Sequence, residues 1–125
     1  MKYILQPKIL MRSFGYAFAG VRHALEYNQN LRIDFLVAML IMLASIFFHI
    51  GAFEMGILGV MILLVIIAEM VNTAIEEMVN LITTEHRREA KIAKDVSAGM
   101  VLIAVLGSLV VGILIFIPHI LRLFQ

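Results

Sequence analysis

The sequence predicts an all-α membrane protein: an N-terminal amphipathic helix lying in the interface, then three transmembrane helices, all in one domain over residues 1–125. Three observations lead there. Hydrophobic residues make up 62% of the chain and charged residues 15%, with a mean hydropathy of +1.01, whereas a soluble domain is about 45 to 50% apolar. The charges fall between apolar runs long enough to cross a hydrocarbon core of ~30 Å. One further segment, near the N-terminus, repeats apolar and basic residues with a helical period.

That segment is the first element, expected over residues 8–29. Leu10, Phe14, Phe18, Val21 and Leu25 share one side, and Lys8, Arg12, Arg22 and Glu26 fall largely on the other. Such a helix lies in the membrane interface with its basic side chains near headgroups or a bound phosphate. Lys2, Lys8, Arg12, Arg22 and Glu26 leave no long apolar run at the start, so no cleaved signal peptide is read and the mature chain is expected to begin at Met1.

The first span, expected over 33–50, rests on the 19 residues between Asp34 and Glu54 that include no Asp, Glu, Lys or Arg. A short turn around Gly51 leads to the second span, 54–80. The third, 96–118, rests on 26 residues before Arg122 with no formal charge apart from the option at His119, and is expected to end near Pro118. Between them lies the most charged stretch, a loop over 83–95 in which Thr84 and Glu85 can begin a helical turn. Gly56 and Gly59 in the second span, and Gly99, Gly107, Ser108 and Gly112 in the third, are expected to permit close helix contacts.

Charge placement orients the bundle. Lys2, Lys8, Arg12, Arg22 and Arg32 precede or open the first span, Arg87, Arg88, Lys91 and Lys94 follow the second, and only Arg122 follows the third. By the positive-inside rule the N-terminus and the 83–95 loop are expected in the cytoplasm and the C-terminus outside. A net charge of +1 without a dense basic cluster of interleaved aromatics argues against nucleic acid as a partner. With no cysteine, disulfides, thiolate metal sites and cysteine nucleophiles are excluded.

The chemistry is concentrated between Glu69 and Asp95. Glu69, Asn72, Glu76 and Asn80 stand at helical offsets that keep all four within about 80° of one another, one polar stripe inside an apolar segment. A carboxylate at membrane depth costs about 2.5 to 3.5 kcal/mol on insertion scales, so it marks a function or a pairing between helices. Counted from Glu54 at ~1.5 Å per residue, Glu69 lies about 22 Å across the bilayer, where it can meet the headgroup of a lipid. Arg87, Arg88, Lys91 and Lys94 can meet a soluble anion. If that anion is MgATP, metal ligands, cations on the phosphates and a base are needed, and Glu76, Lys94 and Glu69 can supply them. Neither a Walker loop nor a GxGxxG turn is present, and spacing alone does not single out a kinase.

The residues do resemble a family. EMVNTAIE (Glu69, Asn72, Ala74, Ile75, Glu76), Glu85 in the loop, AKD (Ala93, Lys94, Asp95) and GYAFAGVR (Gly15, Tyr16, Gly20, Arg22) are similar to the prokaryotic diacylglycerol kinases, which include undecaprenol kinases. The resemblance covers almost the whole chain. It implies a lipid kinase of the bacterial inner membrane, working as a homotrimer whose sites combine residues of adjacent subunits, with ATP as phosphoryl donor and Mg2+ as cofactor. By resemblance, Glu69 is the general base and Asn72 supports it, Glu76 binds Mg2+, and Glu85, Lys94 and Asp95 contact ATP, with Tyr16 lining the nucleotide side. Arg12, Glu69 and Gly99 are the corresponding lipid-binding positions.

Two positions depart from the family. Asn28 stands where a second Glu ligand for magnesium is usual, and Asn80 where Asp is common. Asn28 still has a carbonyl oxygen to offer a hard cation, so it is kept as a metal candidate beside Glu76, with nearby Glu26 as a possible contributor. His23, His49, His86 and His119 lack metal-ligand spacing; His49 and His119 read as interfacial or solvated, and His86, beside Glu85, is a nucleotide candidate. Glu77 faces about 100° away from Glu76 and reads as solvated or paired between subunits.

The expected function is phosphorylation of a membrane lipid hydroxyl, diacylglycerol or undecaprenol, at the cytoplasmic interface. The absence of Trp and the segment AKDVSAGMVLI lean towards the undecaprenol branch. The alternatives are an oligomeric ion- or proton-conducting subunit with Glu69 as its titrating carboxylate, or a scaffold protein.

Overall fold

A computed structural model describes residues 7–124 as four helices, α1 (Pro7–Tyr27), α2 (Gln29–Phe47), α3 (Ala52–Ile82) and α4 (Arg88–Arg122). Lys2 and Met1 lie outside the described residues, among which there is no strand. The three later helices are each long and apolar enough to cross a membrane. With 19 residues, α2 is about 28 Å long and matches the hydrocarbon core. The 31 residues of α3 and 35 of α4 reach about 46 and 52 Å, so both overhang the core.

A single residue separates α1 from α2. Asn28 Oδ1 accepts the N–H groups of Asn30 and Leu31 at 2.8 and 3.2 Å, which makes it the N-cap of α2. For that reason α1 stops short of residue 29 and α2 begins at Gln29 instead of 33. At the other end of α2, His49 takes a left-handed backbone with φ 54°. The His49 N–H donates to the Ile46 carbonyl at 3.1 Å and the Ile50 N–H to the Ser45 carbonyl at 2.9 Å, the double bond of a Schellman ending. Gly51 then opens α3, and the Glu54 carboxylate turns back to accept its N–H at 3.3 Å.

The packed apolar core sits at this α2–α3 turn. Ile50, Leu58 and Ile115 are buried there, with Ile41, Phe48, Met55 and Phe116 against them, and Phe48 meets Phe116 edge to face with centroids 6.0 Å apart. Elsewhere the large apolar side chains, Leu63, Ile67, Ile103 and Leu114 among them, face outward. A bilayer solvates such a surface, so burial between helices is not what holds them apart from water. Helix α3 packs chiefly on α4 and less on α2, and α1 touches α2 and α3 lightly.

Three expectations are corrected. The loop is limited to residues 83–87, because α4 starts at Arg88; Glu89 in its first turn and Ala90 and Ala93 favour helix, and Lys91 and Asp95 form an i,i+4 ion pair. Lys94 and Asp95 are therefore helical. Pro118 does not end α4, which continues to Arg122; proline removes one N–H, and membrane helices tolerate that. Finally, a Cβ added at Gly56, Gly59, Gly99 or Gly112 would meet nothing within 4 Å, and one at Gly107 would meet only Met61 Cε at 3.8 Å. These glycines lie away from the other helices of the chain and mediate no close backbone approach within it.

Candidate active site

Helix α3 delivers the expected stripe as a gradient. Glu69 and Asn72 are 5% and 7% exposed, Glu76 is half-buried, and Asn80 is exposed. The stripe climbs because α3 leaves the packed bundle towards its C-terminus while its polar face keeps one direction. Seventeen residues of helix precede Glu69, about 26 Å, so the buried carboxylate lies near the far edge of a ~30 Å core and Asn80 stands clear of it.

The buried groups are bonded in order. Ser97 on α4, 3% exposed, has its hydroxyl 2.6 Å from Asn72 Oδ1 and 2.9 Å from the Lys94 carbonyl, so its one proton is shared between two acceptors. With Oδ1 occupied, Asn72 turns its amide to Glu76 and donates to Oε1 at 3.1 Å. Glu69 is held separately. Asn28 Nδ2 donates to Glu69 Oε2 at 3.1 Å and to Thr73 Oγ1 at 2.7 Å, and the Thr73 hydroxyl donates to the Glu69 carbonyl at 2.9 Å. Among the described residues Glu69 Oε1 has no hydrogen-bond donor, which leaves a carboxylate oxygen able to accept a proton.

Above this network opens a groove of about 880 Å3 lined by Asn80, Glu85, His86, Arg88, Lys94 and Asp95 among others. Four of the expected nucleotide residues, Glu85, His86, Lys94 and Asp95, are thus brought together. Their charges are not equivalent. Glu85 is paired with Arg87 at 3.0 Å and Asp95 with Lys91, whereas Lys94 Nζ donates to the neutral Asn80 Oδ1 at 2.8 Å. Lys94 is thus held by a neutral amide, with no carboxylate paired to it among the described residues.

Other expected residues stand apart. Tyr16, 76% exposed, and Arg12, also exposed, lie on the part of α1 that leaves the bundle; only Ala24 of that helix is buried. Neither lines the groove of its own chain. Gly99 is half-buried on α4 with open space at its Cα. Glu77 is exposed as expected. His119, expected to be interfacial or solvated, is half-enclosed at the turn end, with Nε2 3.4 Å from Glu54 Oε2 and Nδ1 2.9 Å from the Ile115 carbonyl.

For Mg2+ the donor set is lean. Among the described residues no three His, Asp or Glu side chains converge on one point, and Asn28, expected to offer its carbonyl, spends Oδ1 on the two N–H groups of α2. Glu76 Oε2 remains free of hydrogen bonds among the described residues. One carboxylate together with nucleotide phosphates and water is an ordinary magnesium environment, so the residues fit the ion as a partner of ATP.

Sequence reasoning missed Ser97, Thr73 and Asp34. Ser97 is 25 positions from Asn72 on another helix, with no periodic signal to join them. Thr73 was detectable from its i,i+4 spacing to Glu69. Asp34 falls within the expected first span without an assigned role; it lies inside α2, within electrostatic range of Glu69. Its Oδ2 is enclosed and unpartnered among the described residues, beside a cavity of about 90 Å3 bordered by Ala38, Ile62 and Val65.

The chain was compared with known proteins. Residues 15–116 match the family described as prokaryotic diacylglycerol kinase. A diacylglycerol kinase of Synechocystis sp. is 37% identical over 118 residues, 94% of this chain and 67% of the relative. An undecaprenol kinase of Bacillus subtilis is 32% identical over 107 residues, 86% and 87% of the two chains. A diacylglycerol kinase of Escherichia coli is 26% identical over 110 residues, 88% and 90%. Relatives named for both acceptors therefore match, and likeness does not separate them.

Proposed function

The chain belongs to the prokaryotic diacylglycerol kinase family, and from that premise we propose that this integral membrane lipid kinase transfers the γ-phosphoryl group of ATP, with Mg2+, to the hydroxyl of diacylglycerol or undecaprenol. The observation that carries the reading is one polar face of α3 that runs from a carboxylate buried in a membrane-spanning helix to a half-buried lysine on the groove: Glu69 and Asn72 below, Asn72 bonded to Glu76 and to Ser97 of α4, and Lys94 above with its Nζ on Asn80. A lipid brings its hydroxyl to the first and a soluble nucleotide its phosphates to the second.

In this reading Glu69 Oε1 accepts the hydroxyl proton as the lipid oxygen attacks the γ-phosphorus. The bond to the bridging oxygen breaks and ADP leaves. An aliphatic alcohol is a weak acid, so the proton moves during the attack and not before it. Lys94 meets the charge on the phosphates, and Asn72 fixes Glu76 to face them. Bound at Glu76, Mg2+ would offset the charge that builds on the transferred group.

Positive residues in α1 and at the start of α2, and at Arg87 and in the first turns of α4, support a cytoplasmic groove and an external C-terminus. Tyr16 stands away from the groove of its own chain, so contact with nucleotide bound there would come from another copy, in keeping with a homotrimer with shared sites, while Arg12 on the same stretch of α1 is exposed to lipid. Glu85, His86 and Asp95 line the nucleotide side, and Gly99, with its open Cα, leaves room for lipid beside the network.

The test is incubation of purified, lipid-reconstituted protein with radiolabelled ATP and Mg2+, offering each lipid separately, with Glu69→Gln as control. Label in one lipid, absent from the mutant, supports the reading and identifies the acceptor. A folded protein that labels neither lipid and binds no ATP sinks it, and ion flux through the same vesicles would then favour a conducting subunit.

A further inference from the structure

Asn28 occupies the single-residue junction between α1 and α2, and all the hydrogen-bonding capacity of its carboxamide is used. An asparagine amide has one oxygen with two lone pairs and one nitrogen with two protons. The oxygen accepts the N–H groups of Asn30 and Leu31. The nitrogen donates to Glu69 Oε2 at 3.1 Å and Thr73 Oγ1 at 2.7 Å. Both targets lie one turn apart on α3, and Thr73 is itself bonded to the Glu69 carbonyl. The side chain thus joins α2 to α3 at the carboxylate, while the main-chain N–H of Asn28 donates to the Ala24 carbonyl of α1 at 2.8 Å.

We propose that Asn28 is a positioning residue for Glu69: its amide holds Oε2 and so presents Oε1 to the acceptor hydroxyl, while its carbonyl belongs to the α2 cap and takes no part in metal binding. A free Glu side chain turns about its terminal torsion through a broad range. A charge-assisted N–H donor on one oxygen removes that freedom and leaves the other oxygen as the proton acceptor. For Oδ1 to turn to a cation, two N–H groups at the start of α2 would have to give up their acceptor. The nitrogen would swing away from Glu69 at the same time. Positioning and ligation are therefore exclusive uses of one group.

This inference rests on the kinase reading, and two substitutions separate it from that reading. Asn28→Ser keeps an N-cap oxygen of comparable strength but has no second branch to reach Glu69. Asn28→Asp keeps the cap and sets a carboxylate oxygen where the N–H stood, so that two like charges face each other. Each full-length protein, reconstituted in lipid, is assayed for kcat and KM, for thermal unfolding, and for Mn2+ binding by electron paramagnetic resonance. The binding readout needs no turnover.

Both variants are expected to lose about tenfold or more in kcat while KM for the nucleotide and the Mn2+ affinity stay within about twofold of wild type. Unfolding should remain cooperative because the cap is retained, with a lower midpoint because a buried acceptor is left without its donor, and kcat is taken per folded molecule. A variant that turns over lipid at the wild-type rate overturns the positioning role and leaves the kinase reading standing. Weaker Mn2+ binding in Asn28→Ser with tighter binding in Asn28→Asp assigns the carbonyl to the metal and also overturns it. A wild type that phosphorylates neither lipid overturns the kinase reading, and the positioning role falls with it.

Discussion

The two ends of the bundle use the same two helices in opposite ways. At the turn end, α3 and α4 enclose Leu58 and Ile115 with Ile50 from the turn between α2 and α3, and apolar contact holds them, with one polar link from His119 to Glu54. At the loop end the same helices face each other through Ser97 on Asn72 and Lys94 on Asn80, and directional hydrogen bonds hold them. Apolar contacts tolerate sliding and a change of side chain; a bonded amide does not. The difference teaches where changes should register, as stability at the turn end and as catalysis at the loop end.

The largest effect should come from Glu69→Gln, which preserves shape and removes the base. Lipid phosphorylation is expected to fall by about 10²- to 10⁴-fold with an unfolding temperature near wild type. If unfolding shifts as much as turnover does, the division between the ends is broken. At the other end, Leu58→Ala should cost about 2 to 5 kcal/mol of stability with kcat per folded molecule nearly unchanged, measured by thermal unfolding beside the lipid assay.

A sharper probe is Ser97→Ala, which leaves Asn72 Oδ1 buried without its donor. A stability cost of about 1 to 3 kcal/mol is expected, together with a drop in kcat, because Asn72 is then free to turn away from Glu76. Ser97→Thr, which retains the hydroxyl, should recover much of the activity; equal losses in both variants would show that the bond to Asn72 is not what matters. The smallest effect belongs to the turn. His49→Gly relieves a left-handed backbone that costs a non-glycine residue about 1 kcal/mol, and its unfolding temperature should rise slightly while kinase activity stays level.

Much of this was legible in the sequence where the relevant information lies within one helix. The apolar runs gave three spans, and the offsets of Glu69, Asn72 and Glu76 gave a shared face that the Asn72 to Glu76 bond bears out. Contacts between helices were hidden. Ser97 looks like any small residue in an apolar run until α4 is laid on α3. Asn28 before Gln29 carried a capping signal, but no Pro or Gly interrupts the chain there, and the sequence alone extends α1 to residue 29. The charge density from Glu85 to Asp95 looked like a loop, although helix-favouring alanines and the Lys91–Asp95 pair make most of it the first turns of α4. Tyr16 and Arg12 illustrate a further limit, since positions gathered by resemblance need not gather within a single chain.

The unbroken course of α4 from Arg88 to Arg122 has a consequence for insertions and deletions. Lys94 and Ile115 are 21 residues apart, about 31 Å along one rod, and each must point at its own partner on α3. One residue added between Gly99 and Gly112 would rotate one set by about 100° relative to the other, so that either Leu58 or Asn72 would lose its counterpart. Phase, and not proximity, ties the hydrophobic end of this protein to its polar one.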